Sequence, residues 1–423
     1  MALLGPMVVV AESSAADLID VLGKAGAFPT VETRWADAPA AIAEVQPVAI
    51  AIADPEGNPS PLDVHAVIQC IETRGGPVTP VIALVERDYA PAIPGALAIG
   101  MDDSTDRLIA RLRSALRIRT LHATVLRQAH SVGAKKGIPA FVPPDLLEDA
   151  TVLCVGRGGF YPALSRAIGE RVGLIGVLSV ETAARYLNAR DVDGVLIGEG
   201  LGPRVVAGLL TLLAEDVRFR DLPIGVLDNA TVDDDRLPNL VRVDSDPVRL
   251  VERMLPFVRL QAFESQLKRV LKSLETEGVT DPDTGLLNAA AFWRDLDGAV
   301  QAMEQSGKAL SVARFTFEGA SDYRAQVDAA RLFSRLLRKV DFACREKDGS
   351  ILAAFTETDL RSAHVVARRI ASALMRTMVS SDRDRHTIKP TITLAALKPT
   401  DNLNTLMARI GASSQVAAES QRA

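Results

Sequence analysis

Arg338-Lys339-Val340-Asp341 sets a guanidinium and a carboxylate three residues apart, shortly before a turn that reads Lys347-Asp348-Gly349-Ser350. A guanidinium presents five donors in a planar fork, so it can hold a phosphate or the edge of a guanine with two bonds and stack on a purine face. A carboxylate nearby can accept from N–H donors of a ligand. Taken alone, an Arg-x-x-Asp in an arginine-rich helical run such as "RLFSRLLRKVD" is more often a surface ion pair worth little. Asp54 offers a different chemistry. It ends the apolar run "VAIAIAD", as Glu12 ends "MVVVAE". Acidic groups at strand ends can hold Mg²⁺ and make an aspartate a phosphoryl acceptor, although an aspartate opening a "DPEGNP" turn is unremarkable.

Composition narrows the setting. The 423 residues suffice for about three domains of ordinary size. With 48% hydrophobic and 24% charged residues the chain reads as globular. A net charge of −5 argues against nucleic acid as a partner recruited by overall charge. No run approaches the roughly 18 apolar residues that span a membrane. The opening "MALLGPMVVVAESS" lacks the charged flank and cleavage site of a secretory signal and reads as a first strand, so a cytoplasmic location is expected. Cys70, Cys154 and Cys344 lie far apart in apolar runs, as buried thiols in a reducing compartment do; metal and redox roles are not expected of them.

The elements that must position these residues alternate. "MVVVAE", "VAIAIAD" and "PVIALVE" are nearly uniform apolar runs, as strands buried on both faces must be. Between them "AADLIDVLGKAG" and "VHAVIQCIETRG" carry apolar residues at helical spacing, the rhythm of a doubly wound parallel sheet. A basic helix from Arg107 to about Arg127 closes this domain, and "HSVGAKKGIPAFVPPD" reads as a linker. Arg107, Arg111, Arg113, Arg117 and Arg119 on that helix are expected to form a solvated face, with docking of an acidic partner or a neighbouring domain as the alternative. The pattern restarts at Thr151 with "TVLCVG", "DGVLIG", "LPIGVLD" and "NLVRVD", a diverged duplicate. Leu260, Phe263, Leu267, Val270 and Leu274 then form a coiled-coil-like seam, or the buried side of a helix packed on its own domain. "SVARFTF", "SILAAF" and "TITLAAL" supply strands to a third domain.

The two front domains resemble the receiver domains of two-component response regulators. That resemblance implies an acidic pair after the first strand, a Thr or Ser ending the fourth and a Lys-Pro after the fifth. Here Glu12 is followed by Ser13, the fourth strand ends at Val85, and Gly100-Met101 stands after the fifth. Asp54 is the one apt phosphoacceptor left. In the second copy Gly198 stands where the acceptor would be and Asp246 where the lysine would be, so it is expected to be a pseudo-receiver serving interaction or dimerisation.

"TDPDTGLLNAAAF", residues 280–292, resembles the opening of GGDEF domains, the diguanylate cyclase family, with Asp281, Thr284, Gly285, Leu286, Asn288 and Phe292 at matching positions. Two receiver-like domains before a GGDEF domain resemble the architecture of PleD-like and PopA-like regulators. The family joins two GTP molecules with metal-held carboxylates and phosphate donors. The strand that supplies the first carboxylate reads Ala313-Arg314-Phe315 here, and the signature turn falls on Lys347-Asp348-Gly349-Ser350-Ile351. A Gly-His-x-x-Gly-Asp segment is shortened away around "EGASDYRAQ", and "ARIGASSQVAAE" lacks the lysine that would meet phosphate. Asn288, a guanine contact in the family, is expected to persist as a turn residue. No catalytic or metal-binding residue is therefore expected.

What the resemblance retains is an inhibitory product site. Arg-x-x-Asp five residues before the signature turn implies Arg338 and Asp341 as ligands of cyclic di-GMP, with Arg369 on the helix after the hairpin. The expected organisation is a receiver-like domain over 1–130, a linker over 131–150, a pseudo-receiver over 151–256, a linker helix over 257–279 and a degenerate GGDEF domain over 280–423. In class terms this is an α/β chain of two doubly wound, flavodoxin-like domains followed by an α/β GGDEF-type domain. The expected function is a non-catalytic cyclic di-GMP receptor and signalling scaffold that needs no cofactor, partners other signalling proteins and forms a homodimer. The alternatives are a protein scaffold without a nucleotide ligand and a cyclase with residual activity.

Overall fold

Short runs of wholly apolar residues can be buried on both faces only inside a sheet covered by helices on each side, and the computed structural model places them there. It describes residues 5–53, 59–86, 91, 93–101, 103–136, 147, 150–157, 160–168, 172–227, 236–243, 246–276, 278–318, 323–377 and 389–420. The chain divides into two compact units, residues 1–187 with 191–267, and residues 188–190 with 268–423.

The first unit opens with β1 (Met7–Val10), α1 (Ala16–Lys24), β2 (Thr30–Thr33), α2 (Ala38–Val45), β3 (Ala49–Ile52), α3 (Pro61–Thr73), β4 (Val81–Val85), β5 (Leu97–Gly100) and α4 (Thr105–Lys136). Its strands are all parallel in the order β2-β1-β3-β4-β5, the flavodoxin-like doubly wound arrangement. Alternation sorts the two faces. Val8, Val10, Ile50 and Ile52 meet Trp35, Ile42 and Val67 on one side, while Met7, Val9, Ala49 and Ala51 meet Leu18, Leu22 and Leu112 on the other. α3 starts where Ser60 accepts from the Leu62 amide at 3.3 Å, with Pro61 fixing the first turn.

The duplicate follows as β6 (Thr151–Val155), α5 (Phe160–Ile168), β7 (Gly173–Val177), α6 (Val180–Ala189), β8 (Gly194–Ile197), α7 (Pro203–Glu215), β9 (Ile224–Leu227), β10 (Leu240–Val243) and α8 (Pro247–Glu275). Its order, β7-β6-β8-β9-β10, is the same permutation, again all parallel. Among the described residues neither copy has a helix between its fourth and fifth strands. Both closing helices run longer than the sequence suggested. α4 continues through "HSVGAKK" to Lys136, and α8 begins at Pro247 and runs unbroken across residues 256 and 257.

α4 corrects the expectation of a solvated basic face. Arg111 is 2% exposed; it donates to the carbonyls of Ala98 (2.6 Å), Pro238 (2.5 Å) and Leu240 (2.6 Å), and its guanidinium lies over the Phe257 ring. It thus joins β5 of one lobe to β10 of the other. Burial pulls its pKa down to about 10, against the support of Asp103. Arg107 pairs with Asp103, Arg117 reaches Asp221 at 2.7 Å, and Arg119 holds the carbonyls of Pro77 and Val78. Of the five, Arg113 is exposed and has no such contact among the described residues. Aligned from their starts, "TDRLIARLRSALRIR" of α4 and "PVRLVERMLPFVRLQ" of α8 match Arg107 with Arg249, Leu108 with Leu250, Arg111 with Arg253 and Arg117 with Arg259. The two helices share one apolar cluster containing Leu108, Leu112, Leu250, Met254 and Phe257. In the seam on α8, Phe263 packs edge-on against His122 and Leu267 is fully buried. These two residues serve packing within the chain.

The second unit contains α9 (Ala289–Ser306), β11 (Leu310–Glu318), α10 (Tyr323–Leu336), β12 (Phe342–Arg345), β13 (Ile351–Thr356), α11 (Leu360–Thr377), β14 (Lys389–Ala396) and α12 (Leu403–Ser420). An antiparallel sheet of order β12-β13-β11-β14 carries helices on both faces. α10 and α11 cover Phe315, Ile351 and Phe355, and Phe333 meets Phe315 edge to face at 4.8 Å. α9 and α12 cover Val312, Cys344 and Leu352 with Phe292, Leu296, Leu406 and Ile410.

Candidate functional site

α10 is held by its small and apolar side, Ala325, Ala329, Ala330, Leu332 and Phe333, and stops at Leu336. The chain then turns. The Asp341 amide donates to the Arg338 carbonyl at 3.1 Å, so the two residues are the first and last positions of a β-turn, not neighbours on a helix face. Among the described residues no close ion pair joins their side chains, although the Arg338 backbone N–H and charge both favour the Asp341 carboxylate. Arg338 is exposed, while Asp341 is 9% exposed. Asp341 Oδ1 accepts from the Thr356 amide at 3.1 Å, and the Thr356 hydroxyl donates to the Val340 carbonyl at 2.9 Å. These bonds strap the turn to the end of β13. Burial pushes the Asp341 carboxyl above its ordinary range, although the Thr356 amide and the Arg338 charge pull the other way.

Arg369 lies on α11, which buries Ala363, Val366, Ala367, Ile370 and Leu374 and turns Arg369 outward with Arg361, Val365 and Arg368. α11 packs beside α10, the helix that leads into the Arg338 turn. Neither Arg338 nor Arg369 spends its guanidinium on a hydrogen bond or ion pair with the described residues. Val340 and Val365, exposed at 64% and 67%, stand next to them in the sequence of the turn and one helical turn before Arg369.

The turn between β12 and β13 is built differently. The Glu346 amide donates to the Ser350 carbonyl at 2.8 Å, leaving a three-residue loop that ends in Gly349 at φ +83°. Arg314, half-buried on β11, donates from Nε to Ser350 Oγ at 3.2 Å and from Nη2 to Asp348 Oδ2 at 2.6 Å, with Glu346 Oε2 at 3.1 Å. Ser350 donates to Asp348 Oδ1 at 2.6 Å. Burial raises the Asp348 carboxyl, but the Ser350 hydroxyl and amide and the Arg314 charge outweigh it and hold the group below its ordinary range. This is where the resemblance would put a divalent metal, and the residues do not fit one: a guanidinium already lies between the acids. Among the described residues no cluster of three or more His, Cys, Asp or Glu could hold a metal ion.

The "DPDTGLLN" stretch is a packed turn. Asp281 accepts from the Thr284 hydroxyl and the Asp283 amide, both at 2.9 Å, and Gly285 sits at φ +74°. The Leu287 amide donates to the Ala343 carbonyl at 2.9 Å, which fastens the turn to β12. Asn288 caps α9, accepting from the Ala291 amide at 2.7 Å, as its expected turn role requires. Tyr323 donates to Asp283 at 3.2 Å under the Arg345 guanidinium. Sequence reasoning missed Thr356, and nothing local to it marks it: its role comes from the hairpin that returns the chain to Asp341.

In the first unit, Asp54 lies outside the described residues. Glu12 accepts from the Trp35 amide at 3.3 Å, Val85 and Gly198 are buried, and Asp246 caps α8 through the Val248 amide at 2.9 Å. Cys154 and Cys344 are buried free thiols pushed up to about 12 by burial, and Cys70 is a half-buried one. No described helix is long and apolar enough to cross a membrane.

No protein-family model matches the chain, and no curated protein matches it. Solved structures similar to it include GGDEF domains, three of them with cyclic di-GMP. The coiled coil and GGDEF domain of DgcB from Caulobacter crescentus, in complex with c-di-GMP, shares 18% identity at a TM-score of 0.32, covering 37% of this chain and 88% of that one. The FimX GGDEF domain from Pseudomonas aeruginosa shares 20% identity at 0.31, covering 34% and 94%. The diguanylate cyclase SiaD from Pseudomonas aeruginosa, solved with its activator SiaC, shares 19% identity at 0.32, covering 37% of this chain and 64% of its own.

Proposed function

We propose that the second unit is a degenerate GGDEF-type domain that binds cyclic di-GMP at Arg338, Asp341 and Arg369 and does not synthesise it. The observation that carries this reading is the state of those three side chains: two exposed guanidiniums with no hydrogen bond or ion pair among the described residues, and a buried carboxylate with no close salt-bridge partner among them. Buried charges are normally paired. A structural role alone would favour an apolar or amide residue at position 341, whereas a site for a guanine base needs an acceptor held rigidly in a low-dielectric wall. Arg338 would grip a phosphate or a guanine edge with its fork, Asp341 would accept from guanine N–H groups, and Arg369 would meet a phosphate. Val340 and Val365 offer apolar surface for a purine face. The front lobes are proposed to be receiver-like modules that couple this site to other signalling proteins, including a second copy of the chain.

Calorimetric titration of the full chain with cyclic di-GMP, beside an Arg338→Ala variant, tests the proposal. Affinity at or below about micromolar, lost in the variant, supports a receptor. No heat from either protein at concentrations well above that leaves a scaffold without this ligand. Conversion of GTP to cyclic di-GMP by the purified chain would make it an enzyme and overturn the non-catalytic part.

A further inference from the structure

The turn between β12 and β13 contains two carboxylates, Glu346 and Asp348, that converge on one hydroxyl and one guanidinium. Two acids facing each other across a tight loop repel unless a cation lies between them. In this chain the cation is covalent. β11 pairs with β13 so that Arg314 stands opposite Leu352 and Phe315 opposite Ile351, which brings the Arg314 side chain to the mouth of the loop. Its Nη2 lies 2.6 Å from one carboxylate and 3.1 Å from the other, and its Nε meets the hydroxyl that itself bonds to both acids. Gly349, at φ +83°, closes the far side against the carboxamide of Gln326.

We infer that Arg314 is the resident cation of this turn, taking the position between Glu346 and Asp348 that a bridging divalent metal would need and so making the loop self-sufficient and closed to metal. Mg²⁺ demands an octahedral oxygen shell at about 2.0–2.1 Å, which a guanidinium in the same space prevents. The positive charge of Arg314 also offsets half of the negative charge that would draw a metal in. An arginine differs from a bound ion in one practical respect: neither dilution nor a chelator removes it. The order of the loop is therefore indifferent to divalent cations. This holds whether or not cyclic di-GMP binds at Arg338, because the loop itself is what is measured.

The test is Mn²⁺ titration of the native chain and of an Arg314→Asp variant, read by calorimetry and by amide hydrogen exchange over residues 346–351. In the native protein, exchange there is expected to be the same in Mn²⁺ and in EDTA. In the variant, three carboxylates surround the vacated space; Mn²⁺ binding about tenfold or more tighter than native and slowed exchange are expected. Native exchange that slows with Mn²⁺, an effect removed by Glu346→Gln with Asp348→Asn, would overturn the inference. So would a folded Arg314→Asp protein whose loop ignores Mn²⁺. Should that variant not fold, Arg314→Gln gives the same answer without metal: exchange at 346–351 about tenfold faster than native supports the resident cation, and an unchanged rate overturns it.

Discussion

Two arginine–carboxylate groups lie on either side of β12, four residues apart, and they are organised in opposite ways. At the β12–β13 loop the arginine, the acids and the hydroxyl satisfy one another. At the 338–341 turn the acid is buried on a backbone amide while its arginine is exposed to solvent. The first arrangement is what folding alone selects, since every polar group has its partner. The second keeps a charge in the wall of the domain at a cost to stability and leaves strong donors idle. Residues that are costly to the fold and free of partners are where ligand binding is to be sought.

The comparison breaks most directly at Arg338. Arg338→Ala is expected to weaken cyclic di-GMP by about 100-fold, roughly 3 kcal/mol for a charge-assisted pair of bonds, with no change in unfolding midpoint; calorimetry and thermal denaturation measure both. Arg314→Ala should do the reverse. Ligand affinity is unchanged, and denaturant titration shows a loss of about 1 kcal/mol, kept small because Asp348 is more than half exposed. Asp341→Asn sharpens the contrast further: binding falls about tenfold, while stability at neutral pH holds or rises by a few tenths of a kcal/mol, as removal of an unpaired buried charge predicts. The smallest effect is in acid. The raised Asp341 group contributes stability that is complete below the ordinary carboxylate range and lost as pH rises through its folded value. The depressed Asp348 group contributes stability that is present above that range and lost as pH falls through its folded value. Asp341→Asn and Asp348→Asn should therefore tilt the pH dependence of the unfolding free energy in opposite directions. Parallel shifts would erase the distinction between the two groups.

The central strands were legible in the sequence because they are buried on both faces: β1, β3 and β6 carry no solvent-facing residue. β2, β7 and β12 were not, and all three are edge strands. Half-exposed "TVET" and "FACR" carry no continuous apolar run to announce them, and "GLIGV" is apolar but carries two glycines, which weaken a strand reading. The same limit applies to the sites. Arg338, Asp341 and Arg369 were named from the resemblance to GGDEF domains. The role of Arg314 could not be, because a single arginine in a strand reads as a missing carboxylate until pairing of β11 with β13 shows which acids it meets. The basic run on α4 was misjudged for a related reason: its partners lie elsewhere in the chain, and two of those of Arg111 are carbonyls of the other lobe more than a hundred residues away.

That last contact has a kinetic meaning. Two sheets joined edge to edge through matched helices are what a pair of separate subunits would build, at a rate and to an extent set by their concentration. Here duplication put both halves in one chain, so Arg111 meets Pro238 and Leu240 as a unimolecular event. The pairing of the lobes is then fixed at synthesis and insensitive to expression level. Any response to abundance must arise from contacts this chain makes with other molecules.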